Sequence, residues 1–355
     1  FGEDDNATNI ESCCARSFAS TLHLERPDLR IRVVDFDQNI PADAVSKTIV
    51  EELQTPVLFS IAGYDKNLTR RVPTFHNTQP ISYKKRNIQL SSKDVVLVTG
   101  GAKGITAECA LEFARKTKAQ MVLVGRSELP TQAKDQDNEI IRTLNRFKEE
   151  KLKCQYYSCD VTNFEAVRQL ISKIEQSHGK ITAVIHGAGL NTLKRLKQTN
   201  PESAYQEALP KVMGAINICK ALEHNPIKLF VGITSVIGVT GMEGSGWYGL
   251  ANEVLNLFLH QFKEEHKETE VVTVAYSVWD EIGMGTKLGS LDWLLQKGIS
   301  PIPVAEGVKR FMQLIEGDSG SQQTIVVARI AGIDTWRSPQ TNFRNGLRFI
   351  EDIKY

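Results

Sequence analysis

From Asp94 onward, short apolar runs alternate with longer amphipathic ones. Val95-Val96-Leu97-Val98 is a β-branched run that stops at Thr99-Gly100-Gly101, and a helix-period segment follows from Ile105 to Lys118. Further strand candidates are Met121–Val124, Gln155–Tyr157, Ala183–Ile185, Leu229–Ile233, Val271–Val274 and Thr324–Val327, each separated from the next by a helical pattern. Near-continuous apolar strands between helices predict a parallel sheet covered on both faces, hence an open, doubly wound α/β fold. The first 90 residues carry a weaker version of the same rhythm. Ile31–Phe36 and Pro56–Ile61 read as strands around a helix from Ala42 to Gln54, and no glycine-rich turn follows either strand. The expected division is a degenerate α/β half at 1–90, a nucleotide-binding half at 91–330 and a C-terminal linker at 331–355. The polar run Tyr83-Lys84-Lys85-Arg86-Asn87 to Ser91-Ser92 reads as a solvated connector between the halves.

Composition narrows the function classes. The chain has 355 residues, and Lys+Arg of 43 against Asp+Glu of 42 leaves a formal charge of +1. A nucleic-acid binder usually carries a basic excess, so none is expected here. No apolar run reaches the ~18 residues of a membrane span. The six cysteines show neither a CxxC pair nor a histidine at zinc-like spacing, so no metal site is expected and a reduced, cytoplasmic setting is the simplest reading. The start at Phe1, without an initiator methionine, reads as a piece of a longer polypeptide.

The strand–turn–helix at Val95 to Ile105 has the makings of a dinucleotide site. Glycines there let the backbone turn sharply and approach a pyrophosphate, whose charge rests at the N-terminus of the next helix. Candidate contacts in the turn are Thr99, Gly100, Gly101, Lys103, Gly104 and Ile105. The second strand ends Val124-Gly125-Arg126-Ser127, where an NAD site usually has an acid for the ribose hydroxyl. Arg126 cannot accept a hydrogen bond but can fork onto a 2′-phosphate, and Lys103 adds a second cation, so the expected cofactor is NADPH. Asp160 and Val161 close the third strand, where an adenine edge is read, and Gly187-Ala188-Gly189 after the fourth permit close cofactor approach. His186 before them reads as a hydrogen-bonded core histidine without a role in proton transfer.

The fifth strand ends in Thr234-Ser235, and Tyr248 and Asn252 follow on one face of a helix starting near Trp247. Reduction of a carbonyl needs a proton donor at its oxygen, and a phenol serves if its pKa falls toward neutrality. A fall of about two units corresponds to roughly 2.7 kcal/mol, within reach of one nearby ammonium. Ser235 is expected to hydrogen-bond the same oxygen.

These residues resemble the short-chain dehydrogenase/reductase superfamily, with one departure. That superfamily usually has lysine where this chain has Asn252, and Lys211 in Leu209-Pro210-Lys211-Val212 supplies the missing cation. The exchange is similar to that in ketoreductase domains of polyketide synthases. The likeness spans nearly the whole chain. Phe18 to Phe36 is similar to the family's structural subdomain, and Gly283-Met284-Gly285 through Ile302-Pro303 to its lid. Thr99 to Ala110 is worded most like iterative enediyne-type and polyunsaturated-fatty-acid synthases. The resemblance implies a catalytic set of Lys211, Ser235, Tyr248 and Asn252, and a β-ketoacyl substrate on an acyl carrier protein with neighbouring synthase domains as partners. The competing reading is a free-standing NADP-dependent carbonyl reductase acting on a diffusible ketone. The family's stereochemical markers are absent: Leu190-Asn191-Thr192 and Thr240 stand in their places.

Overall fold

The computed structural model describes residues 14–73, 80–129, 138–284, 291–296, 298–320 and 323–328. Helix α1 (Arg16–Glu25) leads into β1 (Ile31–Phe36), α2 (Ala42–Gln54), β2 (Phe59–Tyr64) and β3 (Arg70–Arg71). These strands form a three-stranded sheet in which β1 and β2 run parallel. β2 begins later than the apolar run from Pro56 predicts. The Arg32 side chain takes the carbonyls of Glu52, Thr55 and Val57, so the start of that run is bound by a guanidinium instead of a neighbouring strand.

In the Tyr83–Ser92 run Lys84 and Lys85 are exposed, as expected, and Arg86 is the departure. β4 (Lys84–Lys85) pairs antiparallel with a strand at Gly317–Asp318, and Arg86 is only 6% exposed. Its guanidinium donates to Glu270 at 2.6 Å, Asp318 at 3.0 Å and the Leu314 carbonyl at 3.2 Å. Two carboxylates and a carbonyl replace the water that a buried cation loses.

The larger unit runs β5 (Val95–Thr99), α3 (Gly104–Thr117), β6 (Gln120–Gly125), α4 (Glu139–Glu149), β7 (Cys154–Ser158), α5 (Phe164–His178), β8 (Ile181–His186), α6 (Pro201–Ala221), β9 (Leu229–Ser235), α7 (Ile237–Thr240), α8 (Gly246–Glu265), β10 (Glu270–Tyr276), α9 (Leu291–Gln296), α10 (Val304–Glu316), β11 (Gly317–Asp318) and β12 (Thr324–Val326). Its seven-stranded sheet has the order β12-β10-β9-β8-β5-β6-β7, and every pairing in it is parallel. This is the doubly wound Rossmann arrangement. Alternate strand residues feed opposite layers: Val96, Val98, Leu123 and Ile185 pack under α3 and α10, while Val95, Leu97, Val124 and Val184 pack under α5, α6 and α8. Local signals set the helix starts. The side chains of Asn138, Asn163 and Asn200 each accept a backbone N–H in the first turn of α4, α5 and α6.

Strand order reverses between β5 and β8, so the turns leaving those two strands diverge and open a crevice. No described helix is long and apolar enough to cross a membrane. The expected linker at 331–355 and part of the expected lid, 285–290, lie outside the described residues.

Candidate active site

A cavity of about 820 Å³ opens at the carboxyl ends of the strands. Of the expected nucleotide contacts, Gly100, Lys103, Gly104, Ile105, Arg126, Ser127, Asp160, Val161, Gly187, Ala188 and Gly189 all line it. Thr99 and Gly101 are not in its wall. Gly101 is pressed on Val98, where a Cβ would come within 2.5 Å of a methyl group. Gly100 has φ +67°, and a Cβ there would meet the Gly187 carbonyl at 2.8 Å, so the crossing of the two turns demands glycine.

Thr99 is 1% exposed, and its Oγ1 lies 2.7 Å from His186 Nδ1. His186 Nε2 lies 2.9 Å from the Lys211 carbonyl. A carbonyl only accepts, so Nε2 carries the proton and Nδ1 accepts from the threonine hydroxyl. Burial, helped by the Lys211 charge, pushes this histidine down to about 3. It is a neutral tie between β5, β8 and α6, and it moves no proton at neutral pH.

Lys103 and Arg126 are exposed at the cavity rim, and neither joins an ion pair among the described residues. The backbone around Arg126 is fixed from β7: Ser158 Oγ donates to the Arg126 carbonyl at 3.1 Å and the Tyr156 hydroxyl to that of Ser127. The guanidinium thus stays available on a held backbone, and the two cations with the glycine-rich turn have the charge and the close backbone approach that a phosphorylated dinucleotide needs. Asp160 lines the same end, with one carboxylate oxygen accepting from the backbone and hydroxyl of Thr162.

Lys211, Ser235 and Tyr248 line the other end of the cavity. Pro210, a residue type that disfavours a helix interior, lies inside the long α6. Lys211, one residue on, is 3% exposed, and its Nζ donates to the Ile233 carbonyl at 2.9 Å. Burial lowers its pKa to about 8. Gly189 makes room for it, since a Cβ there would stand 3.0 Å from the Lys211 Cε. Asn252 is fully buried, with its amide donating to the Tyr248 carbonyl at 2.7 Å and its Oδ1 without a partner.

The expected depression of the Tyr248 phenol is not what the structure gives. Burial raises its pKa, and nearby Glu207 pushes the same way, while hydrogen bonds from Ser235 and Asn252 oppose them. Lys211 gives one of its three N–H donors to the Ile233 carbonyl and does not figure among the groups acting on the phenol. A phenol above 10 is fully protonated at neutral pH, which is the state a proton donor needs.

Two residues near the site, Glu207 and Leu24, have no role assigned from the sequence. Glu207 stands one turn before Lys211 on α6 and holds the Thr192 backbone N–H at 3.0 Å and hydroxyl at 3.1 Å. Its only prior sign was that helical spacing. Leu24, in the half expected to lack a cofactor site, also lines the cavity. Glu253 turns away from Tyr248 and accepts from the Ser17 hydroxyl at 2.6 Å and backbone at 2.9 Å, tying α8 to α1. Trp247 packs edge-on against Phe18 with centroids 5.1 Å apart.

Comparison with known proteins adds to this geometry. A family model described as the KR domain matches residues 94–281. The polyketide synthase PksN of Bacillus subtilis is 28% identical over 241 residues, covering 66% of this chain and 4% of that synthase. PksL of the same organism is 24% identical over 333 residues, covering 89% of this chain and 7% of its own length. The chain thus matches a small part of either synthase. Among solved structures, PlmKR1, the ketoreductase from the first module of phoslactomycin biosynthesis in Streptomyces sp. HK803, superposes with a TM-score of 0.77 at 22% identity, covering 92% of this chain and 72% of that one.

Proposed function

Given that this chain belongs to the KR domain family, ketoreductases of the short-chain dehydrogenase/reductase superfamily found in polyketide synthases, we propose that it uses NADPH to reduce a β-ketoacyl group on an acyl carrier protein to the β-hydroxyacyl thioester. The observation that carries this reading is a single cavity lined by Lys103 and Arg126 at one end and by Lys211, Ser235 and Tyr248 at the other.

NADPH, when bound, supplies the hydride that reaches the ketone carbon. The chain supplies the rest. Lys103, Arg126 and the glycine turn hold the dinucleotide. Ser235 donates a hydrogen bond to the ketone oxygen and holds it beside Tyr248. As the C=O bond becomes a C–O single bond, the oxygen becomes a far stronger base than a phenolate. The Tyr248 proton passes to it, leaving a secondary alcohol and a tyrosinate that solvent reprotonates. Asn252 fixes the first turn of α8 and thereby the phenol. Lys211 keeps a positive charge in the cavity wall, where low dielectric strengthens its hold on developing negative charge.

Two results are expected. Arg126→Ala lowers the NADPH over NADH preference, measured as a ratio of kcat/KM values, by roughly tenfold or more, the loss of one charge-assisted fork. An unchanged ratio removes Arg126 from the phosphate site. The wild-type domain reduces a carrier-bound β-ketoacyl chain with a higher kcat/KM than the matching small thioester, because carrier contacts help orient the reacting end. Equal efficiency with both favours the free-standing reductase acting on diffusible ketones.

A further inference from the structure

Two loops form the substrate side of the cavity. The 189–193 segment follows β8, and 240–243 precedes α8. Both contain backbone in the left-handed region: Leu193 has φ 46° and Gly241 φ 66°, and Gly244 just beyond has φ 74°. A leucine rarely adopts that conformation, so it persists only where surrounding contacts fix it. At Leu193 these are the Asn191 side chain, which accepts the Leu193 backbone N–H, and Glu207 on the preceding Thr192. The ends where the two loops meet are held from α1 of the N-terminal half. The Glu25 carboxylate accepts the Leu196 backbone N–H with one oxygen and the Gly244 backbone N–H with the other, each at 2.9 Å. One helical turn earlier, Thr21 Oγ1 accepts the Met242 backbone N–H at 3.1 Å. The loops also meet directly, with Leu196 packed so closely on Gly246 that a Cβ there would lie 2.5 Å from a leucine methyl. Between Thr21 and Glu25, Leu24 reaches the cavity itself.

We infer that Glu25 is a positioning residue that staples the two substrate loops together, so that helix α1 sets which ketone fits the cavity and which face it presents to hydride. The functional half of this inference rests on the ketoreductase reading above; the staple itself does not. A bare carboxylate offers two acceptor oxygens to two N–H donors, and no neutral side chain of the same shape does so. Glu25→Gln keeps one acceptor and turns an NH₂ group toward the other amide, releasing one loop without changing volume.

The test compares wild type, Glu25→Gln and Thr21→Val by backbone hydrogen exchange, kinetics and product chirality. Exchange is expected to quicken in peptides covering Leu196 and Gly244, and to stay unchanged in β5 and α3. The KM for a β-ketoacyl thioester rises roughly fivefold or more, and the ratio of β-hydroxy enantiomers moves toward one. The kcat and the NADPH affinity stay within about twofold. Thr21→Val moves the same quantities in the same direction by less. Unchanged exchange at both loops overturns the staple. Faster exchange with wild-type KM and product ratio overturns its functional role. A parallel loss of kcat, NADPH affinity and thermal stability, at a constant product ratio, makes Glu25 structural and overturns it as well. Wild type that reduces no β-ketoacyl thioester sinks the ketoreductase reading instead, and the exchange data still decide the staple.

Discussion

Tyr248→Phe is expected to lower kcat by about 10³-fold, within the range for loss of a positioned general acid, while leaving NADPH affinity unchanged. The phenol is buried at 9% exposure and interacts with Ser235 and Asn252, so phenylalanine fits the same space with one polar group fewer. Loss of those hydrogen bonds costs about 1 kcal/mol of stability, too little to unfold the domain. A drop in activity at constant cofactor affinity and near-constant stability therefore reads the missing proton. Retention of even a tenth of the activity, measured in single-turnover reduction, places the proton donor elsewhere.

Lys211→Met is expected to lower kcat/KM by about 10²-fold, the usual effect of removing one preorganised charge or donor from a water-poor site. It also changes the pH profile, and the sign follows from burial. Folding lowers the Lys211 pKa from 10.5 to about 8, so the ammonium is present below that pH and lost as pH rises through it. Wild-type kcat/KM should fall on the alkaline side beginning near pH 8, while the raised Tyr248 phenol loses its proton only above 10. Lys211→Met should erase the fall near pH 8 and leave the later one. Stability moves the opposite way. The unfolded chain keeps the Lys211 proton up to its ordinary pKa, so between about 8 and 10.5 folding becomes more favourable with rising pH in wild type. That rise is absent in the methionine variant. A variant with wild-type kcat/KM and the same alkaline limb refutes the role given to this lysine.

The strands and the ends of the strands were legible because they depend on neighbours in the chain. β1, β5, β6 and β8 to β10 lie where the apolar runs place them, and α2 spans Ala42–Gln54 as its period predicts. The mid-helix Pro210 is the informative exception. Its local signal said stop, yet α6 continues through it, with buried residues on both sides of the proline, Ala204 and Glu207 before it and Gly214, Ala215 and Ile218 after it. Arg86 misled in the same way: it read as solvated with Lys84 and Lys85, which are exposed, but it is buried against Glu270 and Asp318. In both places distant partners outweighed a local preference.

Sequence alone determined the parallel sheet, the glycine turn after β5, the cations in that turn and at the end of β6, and the helical pairing of Tyr248 with Asn252. Each is encoded in a spacing of a few residues, and a period of two or of 3.6 fixes which side chains share a face. Only the tertiary structure decided that Thr99 and Gly101 hold the turns without touching the cavity. It alone made the Tyr248 phenol weaker as an acid than in water, and brought Ser17 against Glu253 and Glu25 against Gly244 across 236 and 219 positions of sequence. The reason is that desolvation and charge act at a point in space. They sum over every group that folding brings there, and no spacing along the chain records that sum.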